Sequence, residues 1–414
     1  MQPRPGTTTL GERLATLGSI ALVVSACGSV TSPAANPPTS APPPAAHVAT
    51  PEPTVATATR QPIALPANGR IVFYRTDDAR TTNTPFSVDP DGSHETELHD
   101  GGLEPGYWSP DGTRLAVHQL VQDPSPAPDA EPAWQRPAVV NADGSGFRLL
   151  NAYPDRKMHL DPVGWTPDGS RIYVYSGDED VSAPDMGLYT VRASDGGDLT
   201  RVFQTPGGDN DFLVFSPDGS KILVNWSSND FDRALFVLAA DGSNLKRLTP
   251  AKLDVVDLEF YDGISYDWSP DGSKIAFGAQ IAPVGDPPAL LVMNADGTDV
   301  RRIVPANIGA VSAEWSPDGR QIAFTSKLRE SPQVWVVGAD GGGMQRLTDG
   351  ADGSESIVPM WSPDGQQLLF QRKQSDEVTL WSMAADGSNQ KQLSPTPLAV
   401  DWVGGYQWWP AIGR

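Results

Sequence analysis

A single cysteine and five histidines among 414 residues leave little material for redox or metal chemistry. One thiol cannot close an intramolecular disulfide, and no multi-cysteine zinc or iron–sulfur site can be built from it. Basic residues are scarce as well: 30 Lys and Arg face 51 Asp and Glu, a net charge of −21. A surface of that sign repels phosphate, so nucleic acid and anionic lipid headgroups are not expected partners. No apolar run reaches the ~18 residues of a bilayer-spanning helix. No Gly-x-Ser-x-Gly occurs either, which leaves out the nucleophile elbow of the serine hydrolases.

What is present is turn-formers and rings. The chain holds 40 Gly, 40 Pro and 12 Trp, and 39% of its residues are hydrophobic. That is enough to bury a sizeable core and excludes wholesale disorder. So much Gly and Pro suits many short strands joined by turns.

Arg4 and Arg13 precede an apolar stretch that runs from Leu14 to Ala26. A basic start, a short apolar core and small residues at its end describe a secretory signal. The stretch finishes in Val24-Ser25-Ala26-Cys27, which resembles the lipobox of bacterial lipoproteins. In that family the cysteine thiol is acylated and its amine becomes the mature N-terminus. The resemblance therefore implies a signal peptide over 1–26 and lipidation of Cys27; the alternative is an ordinary signal beside a coincidental cysteine. Glu12, which offsets one arginine, departs from the usual basic start. Each buried CH₂ of an acyl chain contributes ~0.8 kcal/mol, so several chains hold a protein at a membrane without a spanning helix. The expected location is extracytoplasmic, anchored by lipid to a bacterial membrane, in the periplasm or at the cell surface.

Residues 27–66 follow as a tether of Pro, Ala, Thr and Ser. Pro33, Pro37, Pro38, Pro42, Pro43 and Pro44 preclude a helix and favour extended polyproline geometry. At ~3.1 Å per residue the segment could span on the order of 100 Å.

From Gly69 onward the chain repeats itself. Trp108-Ser109-Pro110-Asp111-Gly112 recurs at 165–169, 215–219, 268–272, 315–319 and 361–365, with Thr166 and Phe215 as variants. A second motif of the Ala-Asp-Gly type ends at Gly92, Gly144, Gly196, Gly242, Gly297, Gly341 and Gly387. Basic-apolar strands such as Lys246-Arg247-Leu248-Thr249 come behind it. The motif prolines lie 57, 50, 53, 47 and 46 residues apart. A period of ~40–50 residues with four strands per unit is the signature of a β-propeller.

Turn chemistry explains both motifs. Pro fixes φ near −65° at the second turn position, Asp tolerates the third, and Gly supplies the positive φ that closes the hairpin. The turn aspartates are thus expected to be structural. The motif aromatic is expected to fill the wedge between neighbouring blades, and charges such as Arg247, Arg301, Arg302, Arg346 and Lys391 to guard the outermost edges. The first unit has three strands, near 70–75, 85–89 and 94–98. Its missing innermost strand is expected from Tyr406-Gln407-Trp408, since Pro410 lies 47 residues after Pro363. The reading is an all-β, seven-bladed propeller over 67–414, closed by pairing of the C-terminal strand with the first blade.

These repeats resemble the TolB-like (PD40, WD40-like) propeller family, whose hallmark is Trp-Ser-Pro-Asp-Gly combined with Ala-Asp-Gly-Ser and Arg-Leu-Thr. The resemblance covers 69–414. TolB itself has a small α/β domain ahead of its propeller where this chain has the tether, so the resemblance implies the fold and does not bring TolB's partners with it. Some propellers of the family precede a hydrolase domain in peptidases. Others are polysaccharide lyases with a histidine-bound metal in the channel. Here His94, His99, His118 and His159 lie without ligand spacing and are read as structural or surface residues.

Alternation puts the uniform turns on one face and the variable loops and blade crossings on the other. Over those variable ranges 29 acidic residues stand against 10 basic ones. Loops on a rigid scaffold are where binding usually resides. The densest acidic group comprises Asp178, Glu179, Asp180, Asp185, Asp209, Asp211, Asp230 and Asp232, in blades three and four. It could attract a basic protein patch. It could also take a hard cation such as Ca²⁺, although no twelve-residue calcium loop is present and no cofactor or metal is required by the reading. The expected function is a monomeric protein- or peptide-binding scaffold of the cell envelope with no catalytic residues. The alternative is a carbohydrate- or small-ligand-binding propeller, even a lyase, that uses its central channel.

Overall fold

The computed structural model describes residues 69–76, 83–99, 103–122, 133–150, 160–176, 186–204, 210–227, 233–250, 253–255, 266–281, 287–326, 331–375, 377–394, 398 and 406–408. The signal and tether expected over 1–66, Cys27 included, lie outside them. Contacts divide the chain at residue 62, and every described residue belongs to the second unit. No helix among these residues is long and apolar enough to cross a membrane.

The chain forms seven antiparallel sheets arranged as the blades of a propeller. The innermost strands, from blade one to blade seven, are Tyr406–Trp408, Leu103–Trp108, Asp161–Trp165, Asn210–Phe215, Tyr266–Trp268, Ala310–Trp315 and Glu355–Trp361. Blade one takes its innermost strand from the far end of the sequence, where Ile71 lies opposite Trp408 and Phe73 opposite Tyr406. Blade five differs. Leu253–Val255 is a strand as well, and it shares the partner of Tyr266–Trp268, Lys274–Ile281.

Radial sheets expose both faces to their neighbours, so the core is divided among the junctions. Among the described residues there are seven apolar clusters, each built from two adjacent blades and each containing one motif aromatic. Trp108, Trp165, Phe215, Trp268, Trp315, Trp361 and Trp408 are all buried, as the wedge reading expects. Fully burying side chains of this size contributes ~1.5–3 kcal/mol each. Polar bonds fix the wedge in two ways. Trp165 Nε1 donates to the Tyr107 carbonyl at 2.8 Å and Trp268 Nε1 to the Val214 carbonyl at 3.2 Å. In later blades a buried carboxylate takes the backbone instead: Trp315 N donates to Asp267 Oδ2 at 2.9 Å and Trp361 N to Glu314 Oε1 at 3.1 Å.

The Pro-Asp-Gly turns satisfy themselves. Ser269 Oγ donates to Asp271 Oδ1 at 2.6 Å, the Ser273 amide donates to the same oxygen, and the Lys274 amide donates to Ser269 Oγ. The same set recurs around Asp111, Asp218 and Asp318. Hydroxyl bonds and then amide bonds hold the carboxyls of Asp168 and Asp271 below their ordinary value. At Asp111 and Asp218 partial burial opposes this and the hydrogen bonds outweigh it. Glycine closes the second kind of turn by close approach: a Cβ on Gly242, at φ +86°, would sit 1.9 Å from the Val202 carbonyl oxygen of the preceding blade.

The outermost basic residues do more than guard an edge. Lys246 Nζ reaches the Asp296 carbonyl of the next blade at 2.7 Å, Arg148 reaches the Ala193 carbonyl at 3.0 Å, and Lys391 reaches the Asp91 carbonyl across the ring closure.

Two outcomes follow from this packing. Trp165→Phe keeps the wedge and loses one indole bond, which costs about 1 kcal/mol. Trp165→Ala empties it and costs about 3–5 kcal/mol by denaturant unfolding. The turn carboxyls, depressed in the folded state, contribute stability that is fully present above their ordinary value of 3.8. It is lost as pH falls through the lower folded values, so an acid titration followed by circular dichroism should show a steep unfolding transition below about pH 4.

Candidate functional site

The acidic residues singled out above lie mostly outside the described residues: Asp178, Glu179, Asp180, Asp185, Asp209, Asp230 and Asp232. The strands that carry them are placed. In blade three they leave the second strand after Ser176 and rejoin the third at Gly187, and in blade four they lie between Ser227 and Arg233. These are the ends of the sheets opposite the Pro-Asp-Gly turns. Asp211 stands on the innermost strand of blade four, in register with Asn225.

That register position carries an acid in two further blades. Glu104 stands opposite His118 in blade two and Asp161 opposite Tyr175 in blade three. Blade five places Asp254 two residues further along, opposite Gln280. Blades six and seven have Val311 and Ile357 there instead. The loop end of the innermost strands therefore bears acids through four consecutive blades and apolar residues in the next two. The sequence held a signal for three of them, an acid four residues before the motif aromatic. Only its blade-four instance, Asp211, was among the candidates.

Next to these acids runs a second circle of positions, eight residues after each turn proline: His118, Tyr175, Asn225, Gly278, Thr325 and Gln371, with Tyr74 as the counterpart in blade one. At two of them a polar side chain reaches the next blade. His118 Nδ1 lies 3.0 Å from Asp161 Oδ1, with the histidine side chain 9% and the aspartate 34% exposed. Burial, and next the Asp161 charge, push the Tyr107 hydroxyl up to about 12. Thr325 Oγ1 accepts the Val358 amide at 3.0 Å. That amide belongs to a bulge in which Val358 takes φ 52°, a conformation costly for a β-branched residue. Ser312, at φ 54°, occupies the equivalent bulge of blade six.

The remaining described histidines, exposed His94 and half-buried His99, have near partners. His94 Nδ1 lies 2.8 Å from Asp89, and the His99 ring packs on Phe147 at 4.2 Å. Among the described residues no group of three His, Cys, Asp or Glu side chains could hold a metal ion.

Residues 251–400, which span blades five to seven, match the TolB beta propeller domain. The propeller is TolB-like. An uncharacterized protein of Agrobacterium fabrum is 28% identical, over 47% of this chain and 59% of its own length. The chain thus spans less than two thirds of that curated relative. Among solved structures, the TolB-like ring is similar to the β-propeller domain of the Trilobed protease from Pyrococcus furiosus. That similarity has a TM-score of 0.56 and 13% identity, covering 80% of this chain and 96% of the other. An oligogalacturonate lyase in complex with manganese is similar at a TM-score of 0.52 and 14% identity, covering 78% and 85%. Likenesses at these identities establish the fold alone.

In the TolB-like ring Thr325 ties blade six to blade seven through the Val358 amide. Thr325→Val removes that hydroxyl acceptor and should cost about 0.5–1.5 kcal/mol. Thr325→Ser, which keeps the oxygen, should recover most of it in the same unfolding measurement.

Proposed function

We propose that this protein is a lipid-anchored, extracytoplasmic binding propeller that receives a basic protein or peptide on its loop face, without chemistry of its own. The observation that carries the reading is the inequality of the two ends of the ring. At the turn end, carboxylates bond to their own hydroxyls and amides. At the loop end, acids occupy the innermost strands of blades two to five, and the variable segments add their excess of 29 acidic to 10 basic residues. A rim of one sign steers an oppositely charged partner and selects against others. The Val24-Ser25-Ala26-Cys27 motif and the proline-rich tether support placement at a membrane, with the propeller held away from it.

The test is capture from solubilised envelope by the full chain, beside a variant with Asp178, Glu179, Asp180, Asp209 and Asp211 changed to Asn or Gln. A protein retained in stoichiometric amount at low ionic strength, released by salt and lost by the variant, is the expected outcome. Retention that is equal in both chains removes the loop face from the reading. Turnover of an envelope polysaccharide by the purified protein would replace it with the channel-enzyme alternative.

A further inference from the structure

The junction between blades seven and one is built unlike the others. Six innermost strands turn directly into the second strand of their own blade, whereas Tyr406–Trp408 meets Ile71–Phe73 from the far end of the sequence, through three residue pairs. It can therefore leave without opening a hairpin. Its polar clamp is also weaker. The Trp408 amide donates to the thioether of Met360 at 3.3 Å, where the two preceding junctions offer the carboxylates of Asp267 and Glu314. Sulfur is a weak acceptor and an ionised carboxylate a strong one.

The rest of the seam does not depend on this strand. Lys391 holds the Asp91 carbonyl, and Arg75 Nη2 donates to Ser394 Oγ at 3.0 Å. Ile71, Phe73 and Val88 of blade one pack with Leu369, Leu380 and Leu393 of blade seven. Departure of Tyr406–Trp408 would leave the two blades together with a slot between them. One side of that slot is the free backbone edge of Ile71–Phe73, and its floor is the apolar site that Trp408 now fills at 3% exposure.

We infer that Tyr406–Trp408 is an exchangeable strand and that the edge beneath it is a docking site for an extended peptide carrying a tryptophan. The occupant is read from the strand already there: main-chain bonds to a sheet edge supply affinity, and a single side-chain site supplies selectivity. The site is separate from the loop face of the proposed function, and either can fail alone.

The probe is a fluorescein-labelled peptide with the sequence of residues 403–411, titrated into the full chain and followed by anisotropy. Trp408→Ala loosens the resident strand and should raise apparent affinity about tenfold over the parent, because the open fraction scales the apparent Kd. Met360→Glu installs the acceptor found at Glu314 and should lower it about tenfold by the same relation. A peptide with alanine at its first tryptophan should not bind. A Trp408→Ala chain with unchanged far-ultraviolet circular dichroism that ignores the peptide overturns the inference, as does equal binding of both peptides. Hydrogen exchange on the parent protein gives a reading independent of variant folding. The amides of Ile71–Phe73 should exchange about tenfold faster than those of Ile322–Phe324, which occupy the equivalent strand of blade six. Equal rates overturn it.

Discussion

Everything in this ring depends on the aromatic wedge between adjacent blades. A four-stranded sheet set on edge has two apolar faces and no layer of its own to cover either. The chain solves this by making each blade the cover of the next, with one tryptophan or phenylalanine at the narrow inner end of every junction. Closure follows as a requirement. If the ring were left open, two faces would stay wet, which is why Trp408 must reach blade one from the other end of the sequence.

The same constraint sorts the two ends of the ring. Each hairpin at the turn end must be tight, because the next blade's turn leans on it, as Gly242 does against Val202. The aspartates there are consumed by folding: their oxygens accept from a serine or threonine hydroxyl and from an amide two residues on. They do add negative charge to that face, but it is held beside lysines and arginines that are themselves tied to neighbouring turns, such as Lys246 at Asp296. The loop end is less uniform: Asp161 lies against His118 and Asp254 accepts the Arg233 amide, while the variable segments add the excess of acids.

Much of this was legible in the sequence because it is local. Trp-Ser-Pro-Asp-Gly encodes a turn, a hydroxyl for its carboxylate and a ring for the wedge within five residues, and the repeat shows how often each is needed. Even the closing strand could be found, since the spacing from Pro363 to Pro410 continues the period. What was not legible depends on register between elements. Asp161 and Asp254 belong beside Asp211 only once each innermost strand is aligned on its partner. The division of blade five's inner strand, the bulges at Ser312 and Val358, and the reach of Lys391 to the next blade are likewise invisible in one dimension. The acidic segments of blades three and four lie outside the described residues.

One position per blade, the residue just before the motif aromatic, sets how firmly the next blade is held. Tyr107 and Val214 offer only a carbonyl, and the indole uses it. Asp267 and Glu314 offer a carboxylate, and the backbone amide takes that instead, a charge-assisted bond of about 1.5–3 kcal/mol. At Gly164 the absent side chain makes room for the Phe215 ring, which a Cβ would approach to 2.6 Å. Met360 offers sulfur. These choices are not spread evenly. The two carboxylate clamps join blades five, six and seven, and the weakest acceptor follows directly at the seam. How firmly each blade is held thus turns on a few single residues and not on the fold as a whole.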